Sequence, residues 1–362
     1  MVIFFISFLF SFLISFFVTP LVIILAKRFK LVDDPKTRPH PAHTHKGVIP
    51  RGGGLSLFLG LFIPALLFIP FSKQFIGIFL AAFFIVLIGL WDDRKDRSPY
   101  TRFFLNFFVV AIVVLSGIGI PYITNPFGGI IRLDTLRIIF DFWGTHSIIV
   151  FADLFALLWI VWCMNMVNWS KGVDGQMPGF VAIASFVLGL LALKFSGEDA
   201  SLIPVTILSF LTAGSFLGFL PWNFYPQKIM PGYGGGALAG FMLGVLSILS
   251  FGKLGTLLLV LAIPMTDALY TLSRRLIFRK SPFKADSGHL HHRLLLLGWG
   301  KRRIALFYWI ISAIMGVIAL FLSSTEKIFA IILVLASISA FIFWVSIFSS
   351  ITKGVRDEEI EF

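Results

Sequence analysis

The chain has 362 residues, of which 58% are hydrophobic and only 13% charged, and it carries a formal net charge of +12. That balance, with a mean hydropathy of +0.95, excludes an ordinary soluble domain. The basic excess would suit a polyanionic partner such as nucleic acid, but its distribution along the chain points to a lipid bilayer instead, and no nucleic acid is expected.

Eleven apolar runs punctuate the sequence: Ile3–Ala26, Leu55–Phe71, Phe75–Trp91, Phe103–Ile120, Ile148–Met164, Gly179–Lys194, Leu202–Leu220, Ala237–Phe251, Thr256–Leu276, Ile304–Leu322 and Ile328–Phe348. About 17 to 25 apolar residues suffice for a helix to cross a bilayer, and backbone amides in hydrocarbon must be paired internally. The expectation is an all-α, polytopic integral membrane protein with about eleven transmembrane helices. The first run is long and has no small-residue cleavage site, so it reads as a retained helix rather than a signal peptide.

Let the loop after the first helix lie in the cytoplasm and the sides alternate. All basic residues except Lys73, Arg132, Arg137, Lys194, Lys253 and Lys327 then fall inside, as the positive-inside rule asks. The N-terminus is expected outside and the C-terminus in the cytoplasm. Residues 1–362 read as one transmembrane domain, with cytoplasmic loops 27–54, 92–102, 165–178, 221–236 and 278–303. The outer loop 121–147 carries Gly128-Gly129 before Ile130-Ile131-Arg132-Leu133, a pattern that suits a small hairpin. No internal repeat is evident, which weighs against transporters built from inverted repeats. The single Cys163 excludes an intramolecular disulfide.

The chemistry-bearing residues cluster in the cytoplasmic breaks. Asp92-Asp93 closes the third run. Adjacent carboxylates can hold a divalent cation, or one can act as a base beside a metal; a solvated helix end is the plainer reading. Negative charge there opposes the helix dipole, so cations must offset it, and Arg94, Lys95 and Arg97 follow. Asn165-Met-Val-Asn168-Trp-Ser-Lys171-Gly-Val-Asp174-Gly175 sets two amides, a lysine and a carboxylate beside glycines that let the backbone approach a ligand. Asn223 to Gly236 ends in a glycine-rich turn that could cradle phosphate or simply pack helices closely. The segment Ser281 to Arg293 contains His289-Leu-His291-His292-Arg293. With no cysteine or second acidic cluster to complete a zinc set, phosphate recognition by His and Arg donors fits better. In the first loop His40, His43 and His45 read as solvated, His45 being the one expected to act.

Taken in order, these segments resemble the polyprenyl-phosphate N-acetylhexosamine-1-phosphate transferases, integral membrane enzymes that move a sugar 1-phosphate from a UDP-sugar to a lipid phosphate and release UMP. The matching pieces are Asp34-Pro35 through His45-Lys46-Gly47 and Pro50-Arg51-Gly52-Gly53, Gly89-Leu-Trp-Asp92-Asp93, Asn165 to Gly175, Gly218-Phe-Leu to Gly236, Asp267, and Ser281-Pro-Phe to His292. The His-x-His-His form looks more like the branch with UDP-N-acetylglucosamine-type donors. The resemblance implies catalytic roles for Asp92, Asp93, Asp174 and Lys171, and a Mg2+ held by Asp93 and Asn168. It implies substrate binding by His45, Lys46, Arg51, Asn165, Asn223, Lys228, His289, His291, His292 and Arg293. The implied setting is the bacterial inner membrane, the implied partners a UDP-N-acetylhexosamine and a polyprenyl phosphate, and a homodimer is a further expectation.

Two departures bear on that metal. Lys171 stands where the family usually has an aspartate, within an Asp-Gly-x-Asp-Gly pattern. Tyr233 stands where it usually has a magnesium-binding aspartate. Three accounts follow: Lys171 takes part of the metal's role as a point charge, the remaining Asp92, Asp93, Asn168 and Asp174 hold a shifted Mg2+, or the chain only binds lipid or nucleotide. A lipid transporter is the competitor from another class. It predicts ionisable residues near the midplane and broken helices, for which Asp267, three residues after Pro264, is the one candidate.

Overall fold

The computed structural model describes residues 2–360 apart from 38–43, 46, 142–144, 251–253 and 282–287. In chain order it runs α1 (Val2–Arg28), β1 (Val32–Asp33), β2 (Ile49–Pro50), α2 (Gly53–Phe68), α3 (Lys73–Lys95) and α4 (Pro99–Leu115). Four strands follow, β3 (Tyr122–Thr124), β4 (Ile130–Arg132), β5 (Arg137–Asp141) and β6 (Thr145–Ile149), then α5 (Val150–Trp169), α6 (Gln176–Phe195) and α7 (Leu202–Asn223). The chain ends with α8 (Gly232–Leu249), α9 (Leu254–Val260), α10 (Ala262–Ile277), α11 (Leu290–Leu296), α12 (Lys301–Phe321) and α13 (Ser324–Ile360).

Each of the eleven apolar runs contains a helix, but they do not make eleven full spans. Among the described residues, eight helices are long and apolar enough to cross a membrane, or nine with α9 and α10 counted as one span. The remaining two, α2 and α4, have 16 and 17 residues, about 25 Å of helix against a hydrocarbon core of about 30 Å. The run Thr256–Leu276 is not one straight helix: α9 and α10 meet at 87° around Leu261. Pro264 sits in the first turn of α10, where its missing N–H is tolerated, so the chain restarts a helix there. The outer loop forms two antiparallel hairpins rather than one, β3 with β4 and β5 with β6. The second takes Ile148 and Ile149, which the hydropathy had assigned to the fifth helix.

The centre of the bundle is α8, buried from Gly232 to Ile248 and packed on α3 and α5. Its glycines make that possible. A Cβ on Gly234 or Gly89 would meet the other's backbone, and one on Gly240 would strike the backbone of Cys163 and Met164 in α5. Without a hydrophobic drive between helices in lipid, such close backbone packing and interhelical hydrogen bonds hold a bundle together. The face of α1 carrying Ser7, Ser11, Ser15 and Thr19 is buried in the same way. Ser11 donates to Gly60 O of α2 (2.9 Å), and Ser215 of α7 donates to Leu57 O (2.8 Å).

Candidate active site

Asp92 and Asp93 occupy the last turn of α3 and are 0% and 1% exposed. A carboxylate buried at a helix C-terminus is tolerated only with strong compensation. It comes mainly from residues far along the chain. Asp93 Oδ1 accepts from Arg51 Nε (3.1 Å) and from the backbone N–H of Tyr233 (3.1 Å). Asp92 Oδ1 accepts from Arg102 Nε (2.6 Å) and from the N–H of Arg97 (3.0 Å), while Arg51 Nη2 stands 3.9 Å from Asp92 Oδ2. Arg51 also reaches Asp96 (3.4 Å) and Asp33 (3.9 Å). The short β1–β2 ladder, Val32 opposite Pro50, returns the first loop to the bundle and delivers Arg51. Arg94 and Lys95, the sequence neighbours, are exposed.

The α5–α6 connection brings a third cation. Lys171 Nζ donates to Gly232 O (2.6 Å), beside Asp93, Arg51, Arg102 and Asp92. Burial pulls the Lys171 ammonium down to about 7, against the attraction of Asp93. Gly232 has φ +69°, and a Cβ there would run into the Asp93 carboxylate; only glycine fits. The Tyr233 side chain reaches toward α4. It donates to Asn106 Oδ1 of α4 (2.8 Å), and the Arg102 guanidinium lies 5.3 Å from its ring centre.

The histidine segment closes on the same region. A Cβ on Gly172 would strike the His291 imidazole, and Thr44 from the first loop donates to Gly172 O (3.0 Å). His289 Nδ1 pairs with Asp267 Oδ2 (2.9 Å), and the Leu290 N–H donates to Asp267 Oδ1 (2.8 Å). His289 and His291 stack with ring centres 5.8 Å apart, and His291 and His292 are 4.3 Å apart. Burial, then the two neighbouring histidines, holds His291 well below the ordinary imidazole range, so it is neutral at physiological pH. Arg293 Nε donates to Gly288 O (2.8 Å). The bent helix with a buried acid, which a transporter would also have, is present; Asp267 itself is committed to the histidine segment.

The other sequence candidates have these partners. Asp174, 3% exposed, accepts from Lys301 Nζ (2.9 Å) and from the N–H of Gln227 (3.3 Å), which latches α12 to the α5–α6 connection. Asn223 accepts from Gly175 N–H (3.0 Å) and donates to Ile229 O (2.9 Å). Lys228 sits with Nζ 5.0 Å from the Trp222 ring centre. Asn165 turns back on its own helix, donating to Val161 O (2.8 Å). His45 lies 4.0 Å from Asp33. His40, His43 and Lys46 lie outside the described residues. Sequence reasoning missed Arg102, Asn106, Asp33 and Lys301. The signal for the first was available, since a buried pair of acids at a helix end needs cations that its exposed neighbours cannot supply.

The expected Mg2+ ligands were Asp93 and Asn168. Mg2+ asks for six oxygens in near-octahedral array, usually including one or two carboxylates with room for water and phosphate. Among the described residues no group of three or more His, Cys, Asp or Glu is arranged to hold a metal. Asp93 is held by Arg51 and the Tyr233 N–H, and the Lys171 ammonium stands alongside. Asn168 Oδ1 is buried and without a hydrogen-bond partner, a single amide oxygen. This donor set does not fit Mg2+.

A polytopic helical bundle with a buried acid pair and a histidine segment gathered at one end defines a class of membrane protein, and comparison with known sequences supplies the family. Residues 75–251 match the profile of Glycosyl transferase family 4. The chain is 30% identical over 316 residues to a "Probable undecaprenyl-phosphate N-acetylglucosaminyl 1-phosphate transferase" of Bacillus subtilis, covering 85% of this chain and 81% of the relative. It is 32% identical over 345 residues to a "Decaprenyl-phosphate N-acetylglucosaminephosphotransferase" of Mycobacterium leprae, covering 85% and 80%. A Thermotoga maritima "Undecaprenyl-phosphate alpha-N-acetylglucosaminyl 1-phosphate transferase" is 28% identical over 278 residues, covering 76% and 77%. The chain belongs to glycosyl transferase family 4.

Proposed function

We propose that this protein transfers N-acetylglucosamine 1-phosphate from its UDP-sugar to a polyprenyl phosphate at the cytoplasmic face of a bacterial inner membrane, releasing UMP and initiating a cell-envelope glycan. The observation that carries the reading is the convergence of the first loop, the end of α3, the α5–α6 connection, the start of α8 and the histidine segment around Asp92 and Asp93. The names of the relatives support the sugar and the lipid. The bias of basic residues supports an outer N-terminus and a cytoplasmic C-terminus. A homodimer is part of the proposal and is tested by the mass of the particle in detergent.

In this mechanism an oxygen of the lipid phosphate forms a bond to the β-phosphorus of the UDP-sugar. The bond from that phosphorus to the bridging oxygen breaks, and UMP leaves with the electron pair. A phosphate monoester is largely dianionic at pH 7, so the step needs alignment and charge neutralisation more than a strong base. Asp92 and Asp93 hold Arg51, Arg102 and Lys171 in register. Those cations draw the phosphates together, and His289, His291, His292 and Arg293 supply donors to the diphosphate or sugar. Asp174, held by Lys301 and the Gln227 N–H, braces the α5–α6 connection that carries Lys171.

The test is UMP release by the purified protein in detergent, given UDP-N-acetylglucosamine and undecaprenyl phosphate. Release is expected, and Asp93→Asn is expected to lower it at least a hundredfold while the protein stays monodisperse. Nucleotide and lipid binding without release, for this and other UDP-sugars, would instead mark a non-catalytic relative.

A further inference from the structure

We propose that Lys171 is a built-in substitute for a divalent cation, so that the transfer reaction of this chain runs without divalent metal. The inference rests on the transferase reading above and concerns how that site neutralises phosphate.

The acid pair is already neutralised by side chains of the chain itself. Asp92 and Asp93 face Arg51, Arg102 and Lys171. The remaining acids near Arg51 are Asp96, about half exposed, and the buried Asp33, both facing its Nη1. Arg51, Arg102 and Lys171 are thus already set against the buried acids Asp33, Asp92 and Asp93 and the half-exposed Asp96, so the acids here are engaged by the chain's own cations. A divalent ion added to this set would have to displace one of those cations or lie beside it.

Lys171 is also held beside the acid that a divalent ion would need as a ligand. Its ammonium is tied to Gly232 O at 2.6 Å, and Gly232 packs against the Asp93 carboxylate so closely that no side chain fits between them. Asp93 is thus approached by Arg51, the Tyr233 N–H and the Lys171 loop. The phenol oxygen of Tyr233 is committed to Asn106 on α4, so it offers no ligand on the Lys171 side. What remains is Asn168 Oδ1 and Asp92 Oδ2, both without a hydrogen-bond partner, and Arg51 Nη2 is 3.9 Å from the latter. One amide oxygen and one carboxylate oxygen already facing a guanidinium make a poor Mg2+ site. The Lys171 ammonium is a compact, mobile point charge with three donors. It can leave the Gly232 carbonyl for a phosphate oxygen and return.

The experiment uses the full chain in detergent, stripped of metal, with UDP-N-acetylglucosamine and undecaprenyl phosphate. UMP release is expected to agree within about twofold with excess chelator and with added Mg2+. Lys171→Met is expected to lose at least a hundredfold, without recovery in Mg2+ or Mn2+. The paired change Lys171→Asp with Tyr233→Asp is expected to make release depend on divalent metal. Mn2+ binding followed by electron paramagnetic resonance, without nucleotide, reads the site independently of turnover: none is expected at one equivalent in the native chain. Release that stops in chelator and returns with Mg2+ would overturn the inference while leaving the transferase reading intact. So would one tightly bound Mn2+ that Asp93→Asn abolishes, even in a preparation with no turnover. Failure to release UMP under every condition counts against the transferase reading itself.

Discussion

Arg51→Met is the substitution that tests most directly how the site is held. The Arg51 guanidinium is 13% exposed and lies 3.1 Å from Asp93, 3.4 Å from Asp96 and 3.9 Å from both Asp92 and Asp33. Methionine keeps much of the stem's packing but takes the guanidinium away from Asp93, 1% exposed, while the Tyr233 N–H and Lys171 stay beside it. Breaking a buried ion pair by removing one member costs about 3–5 kcal/mol. The lower end applies, because Arg51 keeps some contact with solvent and Lys171 takes up part of the charge; at about 2 °C per kcal/mol in a large chain, the midpoint should fall by about 6 °C. Thermal unfolding in detergent reads the shift, and a cycle with Asp93→Asn isolates the pair. Each single change should be costly, and the double should cost less than their sum, since a neutral amide no longer needs the arginine. Additive losses, or an Arg51→Met shift under about 1 °C, would refute the claim that buried charge pairing organises this end of the bundle.

The remaining expectations concern single groups around that pair. Tyr233→Phe removes the donor to Asn106 Oδ1 and leaves a buried acceptor unpaired, a loss of about 1–3 kcal/mol readable as a lower thermal midpoint, with UMP release reduced less than by Asp93→Asn. Gly232→Ala puts a Cβ at φ +69° against the Asp93 carboxylate and should abolish most UMP release; a fully active variant would contradict the geometry described for Lys171. The Lys171 ammonium, lowered by burial to about 7 and facing Asp93, Arg51, Arg102 and Asp92, is protonated below that value and neutral above it. In metal-free buffer kcat/KM for the UDP-sugar should therefore fall as pH rises through about 7, whereas Lys171→Arg should move that decline upward.

How much of this was legible in the sequence follows from how far each feature reaches along the chain. The apolar helices were, because apolar length is a local property; α6 extends the short run Gly179–Lys194 at both ends, and α8 begins before the run Ala237–Phe251. The break at Leu261 was only hinted at, since proline in a first turn is compatible with a straight restart as well as an 87° bend. Asp92-Asp93, Lys171 and the histidine segment stood out as polar residues in an apolar chain, and the structure gathers them. The partners of those groups did not stand out, because Arg51 meets Asp93 across 42 positions and Lys171 meets Gly232 across 61. The nearest basic residues, Arg94 and Lys95, were the natural candidates for offsetting the acids, yet helical geometry points them into solvent. Tyr233 shows the same limit from the other side. As a residue type it only removes an acid, and its positive contribution, a hydrogen bond to Asn106 and a ring beside Arg102, depends on where α4, packed on α3 and α5, meets the start of α8. Lys171 acts on Asp93 through its charge, whereas Tyr233 gives Asp93 only a backbone N–H that any residue there would supply, so its side chain bears on the acid pair through Asn106 and Arg102.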